Sequence, residues 1–325
     1  MDQLPTASGR RNAVLIPLFE GAQNLGVSAA ADVLSAANEV ASGEARFRYE
    51  VLTASLGGGP IRISGGLTVL PDADLADMAD IDTLVIPSAD GVPVIDSGTA
   101  DALGALARRA RRVAAVCTGA FVLAEAGLLD GRRAATHWEF ADELARRFPA
   151  VVVDARDTVV RDGPLTTSGG VASALDLALA LVEDDLGQDV AQRVARSFVT
   201  YQRKPGGQAQ FAEPRGRDAH SPAVREVQRQ ILANPRGDLS IRSLSHRAGL
   251  SERHFTRLFR AEVGLSAREY VERARVAAAS RLLTETPRSP EMIAREAGFG
   301  TEATMRKAFL RLLQVSPHEY RNRFS

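Results

Sequence analysis

The sequence predicts two fold classes in series: an α/β domain with a mainly parallel sheet over residues 11–200, and an all-α domain over residues 223–325. Three observations carry this. Up to residue 187, short apolar runs alternate with segments of helical period, the pattern of successive βαβ units. Beyond residue 222, strand-like alternation disappears. Within that last stretch, one segment repeats itself after an offset of 49 or 50 residues. A length of 325 residues also exceeds one ordinary domain.

The elements follow in order. "NAVLIPLF" (12–19) is an apolar run suited to a buried strand. "SAAADVLSAANEVA" (28–41) has helical spacing and Ser28 as a candidate cap. "FRYEVLTAS" (47–55) and "IDTLVIPSA" (81–89) read as strands, "TADALGALARRARR" (99–112) as a helix and "RVAAVC" (112–117) as a strand. "TGAFVLAEAGLL" (118–129) is helical, and the alternation continues through 135–148, 151–168 and 169–187. In such sheets the binding crevice lies beyond the carboxyl ends of the strands.

Cys117, the single cysteine, falls at such an end. A residue at a sharp strand-to-helix turn projects into the crevice, as in a nucleophile elbow. The following helix start, with its unpaired N–H groups and positive dipole end, is expected to favour thiolate. Thr118, Gly119 and Ala120 are small enough for close backbone approach, and His137 follows twenty positions after the cysteine. The stretch is equally satisfied by a small buried apolar Cys117. His137 is equally well read as a structural histidine beside Trp138.

One cysteine excludes an internal disulfide and points to a reducing compartment. The first residues lack the early apolar run of a signal peptide, and no run approaches the roughly 18 apolar residues of a membrane span. The expectation is a cytoplasmic protein without a membrane partner. Nothing in the sequence calls for a cofactor or a metal.

The formal net charge of zero conceals a split. Residues 1–220 hold 21 Lys and Arg against 29 Asp and Glu, whereas residues 221–325 hold 19 against 11, giving −8 and +8. A basic end suits an acidic partner, nucleic acid above all.

Residues 201–222, rich in Gly, Pro and charge, read as a linker. After a helix over 223–235 comes the repeat: Leu244, Ala248-Gly249 and Leu250 match Ile293, Ala297-Gly298 and Phe299 at an offset of 49. Phe259, Ser266 and Tyr270 match Phe309, Ser316 and Tyr320 at an offset of 50, so one residue is added just after the turn. Each unit has helix-turn-helix logic. A short helix ends at Ala-Gly, and a second begins at a Ser251 or Thr301 cap. Phe255, Leu258 and Phe259 then point inward, as do Met305, Phe309 and Leu312 in the second unit. Arg253, Thr256, Arg257 and Arg260 point outward, as do Glu302, Arg306, Lys307 and Arg311. Residues 266–286 form a longer helix joining the units. A helical bundle with arginine-rich surfaces would share the composition. The ordered duplication within the basic end favours DNA binding.

On "VCTGAFVLAEAGLLDGRRAATHW" and "LTTSGGVASALDLALALVED", roughly residues 11–190 resemble the ThiJ/PfpI superfamily, a glutamine-amidotransferase-like, flavodoxin-type sandwich. Catalytic members use the elbow cysteine, a nearby histidine and a carboxylate from the loop after the first strand. The resemblance matches Cys117 and His137 to the first two. It places Gly26 where the acid would stand, with Glu20 six residues earlier, and Thr118 where active relatives often carry histidine. These departures favour a ligand or sensor pocket of Cys117, Thr118, Gly119 and His137 over an active site. A Cys117-dependent hydratase or amidase and a thiol-based redox sensor are the alternatives.

On "RHFTRLFRAEVGLSAREYVERARVAAASRLL" and "IAREAGFGTEATMRKAFLRLLQVSPHEYR", residues 223–325 resemble the AraC/XylS DNA-binding domain. In that family the second helix of each motif enters adjacent major grooves. By position, the base-reading candidates are Arg253, Thr256, Arg257, Glu302, Ala303, Arg306 and Lys307. Met305 stands where an aromatic is common and Gln314 where glycine is common. The two resemblances together match a regulator architecture that includes GlxA-type and AdpA-type transcription factors. That architecture implies a sequence-specific DNA-binding transcriptional regulator, nucleoid-associated when bound. Its partner is double-stranded promoter or operator DNA, and it admits RNA polymerase as a further partner. It also implies a homodimer formed through the first domain and a small-molecule effector of unknown identity.

Overall fold

The computed structural model describes residues 11–41, 47–78, 80–155, 157–200, 207–208 and 218–324. The chain divides into two compact units, Met1–Lys204 and Pro205–Ser325. The linker expected at 201–222 lies mostly outside the described residues. At its far end Ala219 is buried and its N–H donates to Gln228 Oε1 at 2.9 Å, so residues 219–222 belong to the second unit's packing.

The strands of the first unit are β1 (Arg11–Pro17), β2 (Arg48–Ser55), β3 (Ile61–Arg62), β4 (Thr68–Val69), β5 (Ala73–Asp74), β6 (Thr83–Ile86), β7 (Arg112–Val116), β8 (Arg133–Ala134), β9 (Val152–Val153), β10 (Val159–Asp162) and β11 (Leu165–Ser168). Its helices are α1 (Asn24–Val40), α2 (Ser97–Arg109), α3 (Ala120–Glu125), α4 (Ala141–Arg147), α5 (Ser173–Leu186) and α6 (Gln188–Ser197). Seven strands form one sheet in the order β10-β11-β7-β6-β1-β2-β5, parallel except for the β10–β11 pair.

Alternate side chains of each strand enter opposite cores. Val14, Ile16, Val85, Ala114 and Val116 pack with Val33, Leu34, Leu177 and Leu181 of α1 and α5. Leu15, Leu84, Ile86, Val113 and Ala115 pack with Leu103, Leu106, Phe121 and Leu123 of α2 and α3. Burial on both faces is why these strands read as unbroken apolar runs. The direction of winding reverses between β1 and β6, so the switch point at which such sheets bind ligands lies at their carboxyl ends, beside that of β7.

Several elements differ from the sequence reading. Helix α1 starts at Asn24, and Ser28 lies inside it, bonded to the Asn24 carbonyl at 2.9 Å rather than capping. Gln23 starts the helix early because its backbone and side chain are both tied to Ser88. The helix expected over 118–129 is a 3-10 turn at Cys117–Gly119 followed by the short α3. The helix expected over 135–148 gives way to a 3-10 turn at Trp138–Phe140 before α4, because the His137 side chain caps the turn. The stretch 151–168 breaks into β9 and a β10–β11 hairpin turned at Gly163-Pro164, where Gly163 has φ +60. Strands β3–β5 and helix α6 have no counterpart in that reading.

At the opposite end of the sheet lies a buried ionic cluster. Arg112, at the start of β7, donates to Thr83 Oγ1 at 2.7 Å and pairs with Asp185 near the end of α5. Arg112 and Asp185 side chains are 8% and 7% exposed. Tyr49 donates its hydroxyl to Asp185 at 2.8 Å, and burial followed by the Asp185 charge raises its pKa above the usual phenol range. Arg111 closes the cluster, bonding Asp82 at 2.7 Å and Asp185 at 3.3 Å.

The second unit comprises α7 (Pro222–Ala233), α8 (Ile241–Arg247), α9 (Glu252–Val263), α10 (Ala267–Glu285), α11 (Pro290–Glu296), α12 (Glu302–Leu313) and α13 (Pro317–Phe324). Two cores share α10. Val224, Ile231, Leu244, Phe255 and Phe259 surround Tyr270, Val271 and Ala274. Ile293, Met305, Phe309 and Leu313 surround Val276, Ala279 and Leu283. Met305 fills the aromatic position with no exposure, and Gln314 takes the left-handed φ of +59 that Gly264 takes at +80 in the first motif. The residue added after the second turn is Gly300, at φ +77. Among the described residues no helix is long and apolar enough to cross a membrane.

Breaking a buried ion pair by removing one partner costs about 3–5 kcal/mol, because the other charge stays buried. Asp185→Ala is therefore expected to lower the denaturant midpoint of the first unit by a corresponding amount. The fluorescence of Trp138, the single tryptophan, reports on that unit.

Candidate crevice and nucleic-acid interface

Cys117 has φ +53, in the left-handed region, which costs a non-glycine residue about 1–2 kcal/mol. The turn is locked around it. Thr118 is 1% exposed, and its hydroxyl bridges to Ala89, donating to the carbonyl at 3.1 Å and facing the N–H at 3.2 Å. A Cβ at Gly119 would meet the Ile86 and Pro87 carbonyl oxygens, each at 2.8 Å, so only glycine lets α3 start this close to the end of β6. Thr136 Oγ1 donates to the Cys117 carbonyl at 3.0 Å.

The thiolate expected from the helix start is not what the turn produces. Burial pushes the Cys117 thiol up to about 11, outweighing hydrogen bonds from Thr118 and from the backbone of His137. The structure brings Cys117, Thr118 and Gly119 together and sets the His137 main chain against the sulfur. The His137 imidazole is engaged elsewhere: Nδ1 accepts the Glu139 N–H at 3.3 Å, and the ring lies 5.2 Å from Trp138 and 5.9 Å from Phe140. Burial lowers its pKa, leaving it neutral at pH 7.

Gly26 lies against the turn after β6, where a Cβ would approach Ser88 Oγ to 3.3 Å. Glu20 is exposed and accepts the Arg62 N–H at 3.4 Å. Three polar residues missed by the sequence reading line the switch point between β1 and β6. Ser88 Oγ donates to Gln23 Oε1 at 2.7 Å, and Gln23 Nε2 donates to Asp90 Oδ1 at 3.0 Å. Nothing local to either segment signals this pairing, because the strand order that joins them is not written in either. Among the described residues no group of three His, Cys, Asp or Glu side chains is gathered to hold a metal.

In the second unit, α9 and α12 each bury one face and expose the other. Phe255, Phe259, Met305 and Phe309 have no exposure, with Phe259 edge-on to Tyr270 and Phe309 edge-on to Tyr320. Ser251 Oγ accepts the His254 N–H at 3.3 Å, and Thr301 Oγ1 accepts the Thr304 N–H at 3.2 Å, capping both helices. Arg253, Thr256 and Arg257 share the exposed face of α9, while Glu302, Ala303, Arg306 and Lys307 share that of α12. His254 and Thr304, unassigned in the sequence reading, lie exposed in the first turns of the same helices. Thr256 Oγ1 donates to its own helix at Glu252 O.

Charge compensation differs across this unit. Arg229, Arg273 and Arg295 pair with glutamates one helical turn earlier. Arg253, Arg257, Arg306 and Lys307 form no ion pair among the described residues. Exposed helices of this width with unneutralised cations suit the major groove and its phosphates.

A parallel-sheet unit followed by paired helix-turn-helix motifs with basic exposed faces is the architecture of a DNA-binding transcriptional regulator. Residues 12–184 match the DJ-1/PfpI family, and residues 244–323 match a helix-turn-helix domain. The regulator GlxA of Rhizobium meliloti (strain 1021) is 33% identical over 308 residues, 91% of each chain. GbdR of Pseudomonas aeruginosa (strain UCBPP-PA14) is 28% identical over 302 residues, 91% of this chain and 80% of that one. Isonitrile hydratase of Pseudomonas putida is 41% identical over 138 residues, 42% of this chain and 59% of its own. The crystal structure of an AraC family transcriptional regulator from Pseudomonas putida shares the fold, with a TM-score of 0.52 at 22% identity over 57% of this chain and 98% of that one. The chain belongs to the DJ-1/PfpI family, in the form that continues into an AraC-type helix-turn-helix domain.

With its thiol held near 11, Cys117 is expected to alkylate with iodoacetamide far more slowly than a free thiol at pH 8. The rate should climb toward pH 11, and the urea-unfolded chain should react promptly at pH 8. Prompt reaction of the folded protein at pH 8 would contradict the assignment.

Proposed function

We propose that the protein regulates transcription as a homodimer, with α9 and α12 of each subunit reading adjacent major grooves and the DJ-1/PfpI-like unit acting without turnover. The observation that carries the reading is the set of uncompensated cations, Arg253, Arg257, Arg306 and Lys307, on the exposed faces of two helices whose other faces are buried. Residues 11–200 serve dimerisation and bind a small effector at the crevice of Cys117, Thr118, Gly119 and His137. Residues 201–222 connect this unit to the DNA-binding domain at 223–325. Two subunits engaging two half-sites gain affinity through effective concentration.

Three features support an effector site over catalysis. Gly26 occupies the place of the acid, Glu20 is engaged at Arg62, and the thiol is protonated at neutral pH. The carboxylate that a hydrolytic or hydrating step would use is therefore replaced by Gly26 at its expected position. The curated relatives matched along most of the chain are named as regulators, whereas the hydratase matches less than half of it. Work on promoter or operator DNA places the protein at the nucleoid, where it meets RNA polymerase.

Footprinting on the promoter region of the protein's own gene should show protected major-groove positions in a palindrome or direct repeat. Affinity should fall steeply as salt rises. Arg257→Ala is expected to lose about 1–3 kcal/mol and relax selectivity at one position of each half-site. Uniform affinity for unrelated DNA under competition would overturn the reading. Cys117→Ser should leave DNA affinity unchanged, and a hydratase or amidase activity abolished by that substitution would establish the enzyme instead.

A further inference from the structure

The turns of the two motifs are equivalent in backbone and unequal in surroundings. Gly249 and Gly298 end α8 and α11 with φ +67 and +87. A Cβ at Gly249 would meet nothing within 4 Å. At Gly298 it would lie 2.4 Å from the Pro235 carbonyl oxygen, 2.9 Å from Arg275 Nε and 3.0 Å from Arg236 Cα. Two of those neighbours are backbone, with no side-chain freedom to yield.

Pro235 and Arg236 lie on the connector from α7 to α8, whose helices build the core beneath α9. Gly298 belongs to the core beneath α12 by way of Ile293, Ala294 and Ala297. Arg275 stands on α10 between Ala274 of the first core and Val276 of the second, and its Nε donates to the Pro235 carbonyl at 3.0 Å. The motifs are thus tied twice, once by sharing α10 and once by this backbone approach. A shared helix alone leaves each core free to shift about it. The second tie removes that freedom.

We infer that Gly298, Pro235 and Arg275 form a positioning junction that fixes the distance and rotation between α9 and α12, so that the protein demands a set number of base pairs between its two subsites. The inference rests on α9 and α12 being the reading helices. An inserted base pair moves one subsite by about 3.4 Å and turns it by roughly 34°. Engaging both subsites at once then fails, and the gain from tethering is lost.

The experiment uses the full chain and duplexes with the footprinted site at natural spacing and with one base pair inserted or removed between subsites. Gly298→Ala and Arg275→Met are compared with the wild type and with Gly249→Ala, which carries the same left-handed strain without the clash. Circular dichroism selects folded variants. Wild type and Gly249→Ala should prefer natural spacing by about ten-fold or more, the loss expected when one subsite disengages. Gly298→Ala and Arg275→Met should narrow that preference to within about three-fold, whatever their absolute affinity. Variants that weaken binding equally at every spacing while keeping the wild-type preference would overturn the junction, as would a wild type indifferent to spacing. An Arg257→Ala protein that binds as wild type does would instead overturn the assignment of α9 on which the inference rests.

Discussion

The DNA-binding unit depends on α10 being buried along both of its sides. Tyr270, Val271 and Ala274 serve one core and Val276, Ala279 and Leu283 the other, so a single helix is the floor on which both α9 and α12 rest. Fully buried aromatic and thioether side chains then pin α9 and α12 to that floor. Their polar faces are left outward with their caps intact. A large buried face fixes a helix far more firmly than its intrinsic propensity does. Exposed arginines can therefore be free of local partners without loosening the helix that bears them.

In the first unit the governing competition is between the helix-start field and burial. Dipole and N–H groups at the end of β7 favour a charged sulfur, while desolvation favours the thiol, and desolvation prevails at Cys117. The elbow keeps its left-handed residue and its obligatory Gly119, so the geometry of a nucleophile turn persists around a group that stays neutral. Charge in this unit gathers at the other end of the sheet. There Arg112 bonds Thr83 and Asp185, and Asp185 also bonds Tyr49 and Arg111.

Much of both folds is legible in single segments. Apolar runs become strands because both faces of the parallel sheet are covered. Ser251 and Thr301 cap their helices, and Ala-Gly ends the ones before. The outward residues of α9 and α12 follow from helical period alone. Features that depend on remote partners are not legible in this way. Ser28 has the composition of a cap, but Ser88, sixty residues on, draws Gln23 into that place. By contrast, His137 reads equally as a partner for Cys117 or as a structural histidine beside Trp138, and its Nδ1 accepts the Glu139 amide only two residues away.

Local chemistry written along the chain determined the class of each unit, the duplication, the capping residues and the basic exposed faces of α9 and α12, because periodicity and turn preference act over a few residues. Tertiary structure alone decided the strand order that joins Gln23 to Ser88, the protonation of Cys117 and the difference between Gly249 and Gly298. Those outcomes depend on which distant backbone or apolar surface comes within a few ångströms. Two identical Ala-Gly turns cannot announce that only one of them has a carbonyl oxygen pressed against it.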